Sequence, residues 1–113
     1  MKNIAVCASF ITGAHLRQIR EAAERAGFTV SFFETQAALG EAIADFEVVF
    51  GYIPPELLPG ARELRWLCAA SAGVDQYLDD ALWPRTDCLL TNSSGAYGPA
   101  ISEHIIMVLL MLL

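Results

Sequence analysis

The residues best suited to meet a ligand fall in four short stretches, each directly after an apolar run: Ser9-Phe10-Ile11-Thr12-Gly13, Gly51-Tyr52-Ile53-Pro54, Ser71-Ala72-Gly73-Val74-Asp75 and Thr91-Asn92-Ser93-Ser94-Gly95. If the runs are strands of an open parallel sheet, these stretches lie beyond their carboxyl ends, where such sheets bind ligands. The third stretch carries the clearest chemistry. Small side chains at Ser71, Ala72 and Gly73 let a backbone approach a ligand closely, and successive N–H groups in such a turn form a concavity for an anion. A carboxylate could be held there without any basic side chain. On spacing alone, the same stretch also reads as a tight strand exit with Gly73 at a positive φ.

Other candidates are weaker. Asn92-Ser93-Ser94-Gly95 is rich in turn formers and by itself says only that a loop follows. Thr12-Gly13 hints at a flavin phosphate loop, but Phe10 and His15 stand where that pattern wants hydroxyl groups. His15 has no carboxylate nearby in sequence to orient it and reads as a surface or capping histidine. Glu103 and His104 are adjacent on a helix, pointing about 100° apart, so they form no direct dyad. The three cysteines, Cys7, Cys68 and Cys88, are far apart, lack a C-x-x-C spacing and read as buried, reduced thiols. No Ser-His-Asp set, metal-ligand cluster, Walker loop or G-x-G-x-x-G is present in the sequence. A receiver domain is excluded because the first and third runs end in Ala8-Ser9 and Gly51-Tyr52, without an acidic pocket.

The elements that must position these groups follow from periodicity. Five apolar runs, Ile4 to Ala8, Phe28 to Phe33, Val48 to Phe50, Trp66 to Ala70 and Cys88 to Leu90, are bounded by Gly, Pro, Asp, Asn or Ser. Most are continuously apolar, as a parallel sheet covered on both faces requires. Leu16, Ile19, Ala22, Ala23 and Ala26 recur at helical spacing, with Thr12 as cap and Gly27 as stop. Thr35 opens a second helix over Gln36 to Ala44, with Leu39, Ala42 and Ile43 as its apolar stripe. Pro54-Pro55 to Pro59-Gly60 allows about one helical turn, and Val74 to Trp83 another short piece closed by Pro84. This rhythm is that of a doubly wound α/β sheet, and the strand count suits the flavodoxin-like five-strand type.

Composition narrows the partners. The 113 residues allow one domain at most, and 55% are hydrophobic, enough for a sizeable core. Seven basic against thirteen acidic side chains give a net charge of -6, which argues against nucleic acid and anionic lipid as partners. No secretory signal pattern opens the sequence, so a cytoplasmic location is expected.

The last segment is anomalous. Gly98-Pro99 opens a helix, and Ile105 to Leu113 are apolar around its whole circumference, so no one face can be turned to water. Leaving such side chains wet forgoes roughly 1.5 to 3 kcal/mol each, so a partner domain or a second copy of the chain is expected to cover them, the alternative being a central core helix of this same domain. The division expected is a flavodoxin-like substrate-binding domain over residues 1–98 and an inter-domain or dimerisation helix over 99–113 that is cut short.

Leu64-Arg65-Trp66-Leu67 leading into Ser71-Ala72-Gly73-Val74-Asp75, followed by Leu89-Leu90-Thr91-Asn92-Ser93-Ser94-Gly95-Ala96-Tyr97-Gly98-Pro99-Ala100-Ile101-Ser102-Glu103-His104, closely resembles the D-isomer-specific 2-hydroxyacid dehydrogenases. The specific match covers about the last half of the chain; the first half agrees only in its rhythm of elements. The resemblance implies the flavodoxin-like catalytic domain of an oxidoreductase that uses NAD or NADP, with the helix from Pro99 crossing to a nucleotide-binding domain and helping to form a homodimer. It further implies that backbone N–H groups around Ser71, Ala72, Gly73 and Val74 bind the carboxylate of a 2-hydroxy or 2-oxo acid, while Tyr52 shapes the side-chain pocket. The family's substrate-clamping arginine, glutamate and acid/base histidine lie in or beyond the nucleotide-binding half. No catalytic residue is therefore assigned, and the chain alone is expected to be inactive and to hold no cofactor. Gly98-Pro99 stands where many members have a Thr-Asp pair, which puts a side-chain contact to the cofactor there in doubt. Two rivals remain: a stand-alone small-molecule binding or interaction module, and a flavin electron carrier.

Overall fold

A computed structural model describes residues 2–113. Five parallel strands form one sheet: β1 (Asn3–Cys7), β2 (Thr29–Phe32), β3 (Val48–Gly51), β4 (Trp66–Ala69) and β5 (Leu89–Thr91), in the order β2-β1-β3-β4-β5. That order is the flavodoxin-like arrangement expected from the sequence. Helices α1 (Gly13–Arg25), α2 (Gln36–Ala42) and α3 (Gly98–Met111) alternate with the strands as the periodicity required, and short 3-10 turns make the remaining connections.

Local chemistry sets the boundaries. Thr12 caps α1 by accepting from the His15 amide, while the imidazole Nδ1 of His15 accepts from the Thr12 amide at 3.1 Å, so His15 is a capping residue. Gly27, at φ 79, turns the chain out of α1 into β2. The Thr35 hydroxyl accepts from the Ala38 amide at 3.1 Å and starts α2, which tightens into a 3-10 turn over Ile43–Asp45. The segment after Pro54 is a 3-10 turn at Pro55–Gly60, and the one ahead of Pro84 holds two more, at Asp75–Tyr77 and Asp80–Leu82.

Packing is unequal on the two sheet faces. On one face Ala5, Val49, Leu67 and Ala69 meet Leu39, Ile43, Leu58, Leu64 and Tyr77, all buried. Fully burying each large aliphatic residue there contributes roughly 1.5 to 3 kcal/mol. On the other face α1 shelters β1 and β2, with the Arg20 guanidinium over the Phe32 ring and Val6 buried. That cover ends at β3. Trp66 is 39% and Leu89 64% exposed, which corrects the expectation that every strand is covered on both faces. The physical reason is that the β3–β4 and β4–β5 connections hold only short 3-10 turns, whose buried apolar residues Leu58 and Tyr77 join the core on the first face, leaving no helix for the second.

From Tyr97 onward every residue is exposed, and α3 leaves the domain as a rod; the whole molecule measures 57 × 35 × 24 Å. Among the described residues no helix is long and apolar enough to cross a membrane.

Candidate functional site

The carboxyl ends of β1, β3, β4 and β5 line up at one edge of the sheet, bringing together the stretches that follow them. None of the residues 8–12, 52–54, 70–74 and 92–97 is Lys or Arg, so any charge complement for an anion must come from dipoles.

The loop after β4 supplies them. Its carbonyls are all taken: the Ser93 amide donates to Ser71 O at 3.0 Å, the Asn92 side-chain amide to Ala72 O at 2.7 Å and the Ser71 hydroxyl to Gly73 O at 2.7 Å. Its amides are not. Among the described residues the N–H groups of Ala72, Gly73 and Val74 have no intramolecular acceptor, and Ala72 and Gly73 are exposed. Three successive free donors on a backbone pinned by its own carbonyls are the kind of group that can hydrogen-bond an anion. One detail differs from the strand-exit reading. Gly73 does not have a positive φ, and a Cβ added there would meet nothing within 4 Å. Glycine at this position therefore keeps the space in front of the amides open; the turn itself does not demand it.

The positive φ lies instead at Gly51, at 137°, where β3 ends. A Cβ at Gly51 would stand 1.9 Å from the Cys7 carbonyl oxygen, so only glycine lets β3 approach β1 this closely. The Tyr52 amide then donates to that same carbonyl at 3.2 Å, and the Gln36 side-chain amide donates to Tyr52 O at 2.8 Å. Tyr52 is thus held from both sides. Its ring meets Phe10 edge-on, with centroids 6.2 Å apart, and beside it opens a hollow of about 200 Å³ lined by Cys7, Ala8, Ser9, Glu34 and Gln36.

Tyr97 is the residue that the sequence did not single out. Its hydroxyl donates to Ala70 O at 3.1 Å and lies 3.5 Å from the Tyr52 hydroxyl, which itself reaches Ala70 O at 3.5 Å. Two phenols therefore converge on Ala70, the residue before the Ser71–Val74 loop. The hydrogen bond with Tyr97, and then partial burial, push the Tyr52 phenol above its ordinary value. Asn92 was equally hard to recognise: its turn-forming type explained it, yet its side chain braces Ala72. The available signal was its place one residue past β5, opposite the loop it supports.

The remaining candidates separate from this edge. Glu103 and His104 ride exposed on α3. The thiols are unpaired, and burial pushes those of Cys7 and Cys88 upward, away from the thiolate form. No group of three metal-ligating side chains occurs among the described residues. A dinucleotide or flavin phosphate finds no cradle at the first βα turn either: the capping box between Thr12 and His15 already closes the start of α1, and the glycine-rich spacing is lacking. The phosphates of a nicotinamide cofactor would therefore find no cradle at this turn.

No family model matches the sequence, and no curated protein matches it. A solved structure does: a D-isomer specific 2-hydroxyacid dehydrogenase family protein from Aeromonas salmonicida subsp. salmonicida A449, at 27% identity and a TM-score of 0.77. The match covers 98% of this chain and 35% of that one, so the present chain spans about a third of that protein's length. The likeness to the D-isomer-specific 2-hydroxyacid dehydrogenases, carried in the sequence by the segments around Ser71 and Asn92, therefore holds in three dimensions across nearly the whole chain.

Proposed function

We propose that this chain is the substrate-binding part of an NAD(P)-dependent oxidoreductase that interconverts 2-hydroxy acids and 2-oxo acids. The observation that carries the reading is the loop of Ser71 to Val74, whose carbonyls are tied down and whose amides at Ala72, Gly73 and Val74 are free. A carboxylate is the chemistry those donors suit, because charge-assisted bonds to backbone N–H groups are stronger than the bonds to water they replace. Tyr52 and Tyr97 stand beside the loop as the wall against the rest of the acid, with hydroxyls 3.5 Å apart. Hydride transfer and the residues that perform it belong to other parts of the parent enzyme, as does the cofactor.

Amide-resolved NMR tests this. Titration with pyruvate at millimolar concentration should shift the N–H signals of Ala72, Gly73 and Val74, whereas pyruvamide, which lacks the charge, should not. Gly73→Ala should retain the native spectrum, since its methyl group meets nothing within 4 Å, yet abolish the pyruvate shifts by occupying the ligand's space. Equal response to both compounds, or no response of the loop, would refute the proposal. Mixing the chain with NADH and 2-oxo acids should give no turnover, and turnover would place chemistry on this chain after all.

A further inference from the structure

The hollow beside Tyr52 has the opposite chemistry to the loop of Ser71 to Val74. About 200 Å³ in volume, it is lined by Cys7, Ala8, Ser9, Glu34, Gln36 and Tyr52, from the carboxyl ends of β1, β2 and β3 and the start of α2. No Lys or Arg is among them. The Glu34 carboxylate enters no hydrogen bond or ion pair among the described residues. The Gln36 side chain commits its amide nitrogen to Tyr52 O at 2.8 Å, which leaves its carbonyl oxygen as an open acceptor. The Tyr52 N–H is taken as well, donating to Cys7 O at 3.2 Å. Glu34 and Gln36 thus present open acceptors, one of them charged, and the Ser9 hydroxyl can serve as a third.

We infer that this hollow receives a cationic group at the far end of the acid's side chain, so that the substrates are 2-hydroxy and 2-oxo acids ending in a guanidinium or an ammonium. The inference rests on the reading of the Ser71–Val74 loop as the carboxylate's seat and adds the other end of the ligand. Free donors at one place and free acceptors at the other match a molecule that is negative at one end and positive at the other. Tyr52 measures the distance between them. Its main chain is bonded to Cys7 and Gln36 in the wall of the hollow. Its hydroxyl lies 3.5 Å from Ala70 O, next to the loop, so the two places are about one tyrosine side chain apart, ~6.5 Å. A five-carbon acid with a terminal guanidinium holds its two charged carbons about 7 Å apart when extended. Pyruvate is too short to reach. A second carboxylate in the hollow would meet the like charge of Glu34 with no Lys or Arg on the lining to offset it, so dicarboxylic acids are disfavoured.

Amide-resolved NMR with three D-2-hydroxy acids of similar reach tests it: 2-hydroxy-5-guanidinopentanoate, 2-hydroxyhexanoate and 2-hydroxyadipate. All three should shift the signals of Ala72, Gly73 and Val74, and the guanidino acid alone should also move the Glu34 amide and the Gln36 side-chain amide. Its dissociation constant should lie about fivefold below that of 2-hydroxyhexanoate, the effect of one exposed ion pair, with 2-hydroxyadipate the weakest of the three. Glu34→Gln, at an exposed position outside the core, should keep the native spectrum and the loop's response to pyruvate. It should also bring the guanidino acid to within about twofold of 2-hydroxyhexanoate. Equal binding of those two by the wild type, tightest binding of the adipate, or an advantage that survives Glu34→Gln would overturn the inference and leave the loop's role intact. Silence of the loop toward all three acids would instead refute the carboxylate reading, and this inference with it.

Discussion

Replacing Gly51 by alanine perturbs the point where β3 hands the chain to Tyr52. The residue holds φ at 137°, a conformation essentially restricted to glycine, and adopting it with a side chain costs about 1 to 3 kcal/mol. The new methyl group would sit 1.9 Å from the Cys7 carbonyl oxygen and 2.6 Å from its carbon. Both atoms belong to the backbone of β1, in the middle of the sheet, so no flexible side chain can swing aside. Relieving the overlap requires β1 and β3 to part by more than an ångström, an overpacking cost of about 1 to 3 kcal/mol. The Tyr52 amide would also lose its bond to that carbonyl, now 3.2 Å long, for about another 1 kcal/mol. The total is about 5 kcal/mol, within a range of roughly 3 to 7, a large part of the 5 to 15 kcal/mol that stabilises a typical domain. Urea unfolding followed by the fluorescence of Trp66 and Trp83 should show the midpoint fall by about 2 M. Gly73→Ala, with an ordinary φ and open space around it, should stay within about 0.5 kcal/mol of wild type. A Gly51→Ala midpoint within error of the wild type would refute the claim that the close approach of β3 to β1 depends on this glycine.

Two further predictions concern titration. Tyr97→Phe removes the hydroxyl that holds the Tyr52 phenol above its ordinary value, so the Tyr52 midpoint in an ultraviolet pH titration should drop toward 10, and an unmoved midpoint would show that the two hydroxyls do not interact. The Arg85 guanidinium grips Asp87 with two bonds, at 2.8 and 2.9 Å, and lowers its carboxyl from 3.8 to about 2. A lowered folded value means that the unfolded chain binds this proton more readily, so the stabilisation is present above pH 3.8 and fades as pH falls toward about 2. Asp87→Asn should flatten the melting temperature across that interval, and an unaltered slope would remove the ion pair from the account.

Much of this architecture was legible because local and global signals agree. The five apolar runs gave β1 to β5 to within a residue or two, and Thr12, Gly27 and Thr35 marked element ends that the backbone adopts. What stayed hidden depended on distance through space. Continuous apolar runs at Trp66 to Ala70 and Cys88 to Leu90 looked like strands covered on both faces, but run composition cannot say which neighbours the connections supply, and here the short turns supply only one. The positive φ that the strand-exit reading placed at Gly73 lies at Gly51 instead, where the demand for glycine comes from the Cys7 carbonyl 44 positions earlier in the chain. Tyr97 likewise joins Tyr52 across 45 positions. No spacing rule reaches that far.

If the loop of Ser71 to Val74 holds an acid as proposed, its amides account for how a chain with a net charge of -6 could receive one. Uniform charge acts over long distances and is screened beyond about 8 Å at physiological ionic strength, whereas amide dipoles act at contact. Water satisfies the free amides of Ala72, Gly73 and Val74 until a ligand arrives, so leaving them open costs the fold little. Each bond exchanged from water to a carboxylate returns about 1.5 to 3 kcal/mol net, so three return at most about 9. Association itself costs at least about 4 kcal/mol, leaving at most about 5 kcal/mol and a dissociation constant no tighter than about 0.2 mM for the loop by itself. Amides of this kind set the position and direction of an acid; binding it tightly requires a cation, and residues 70–74 and their neighbours at this edge provide none. On the proposed reading, the loop would act as one half of a clamp, completed by a cation such as the arginine that the family resemblance implies.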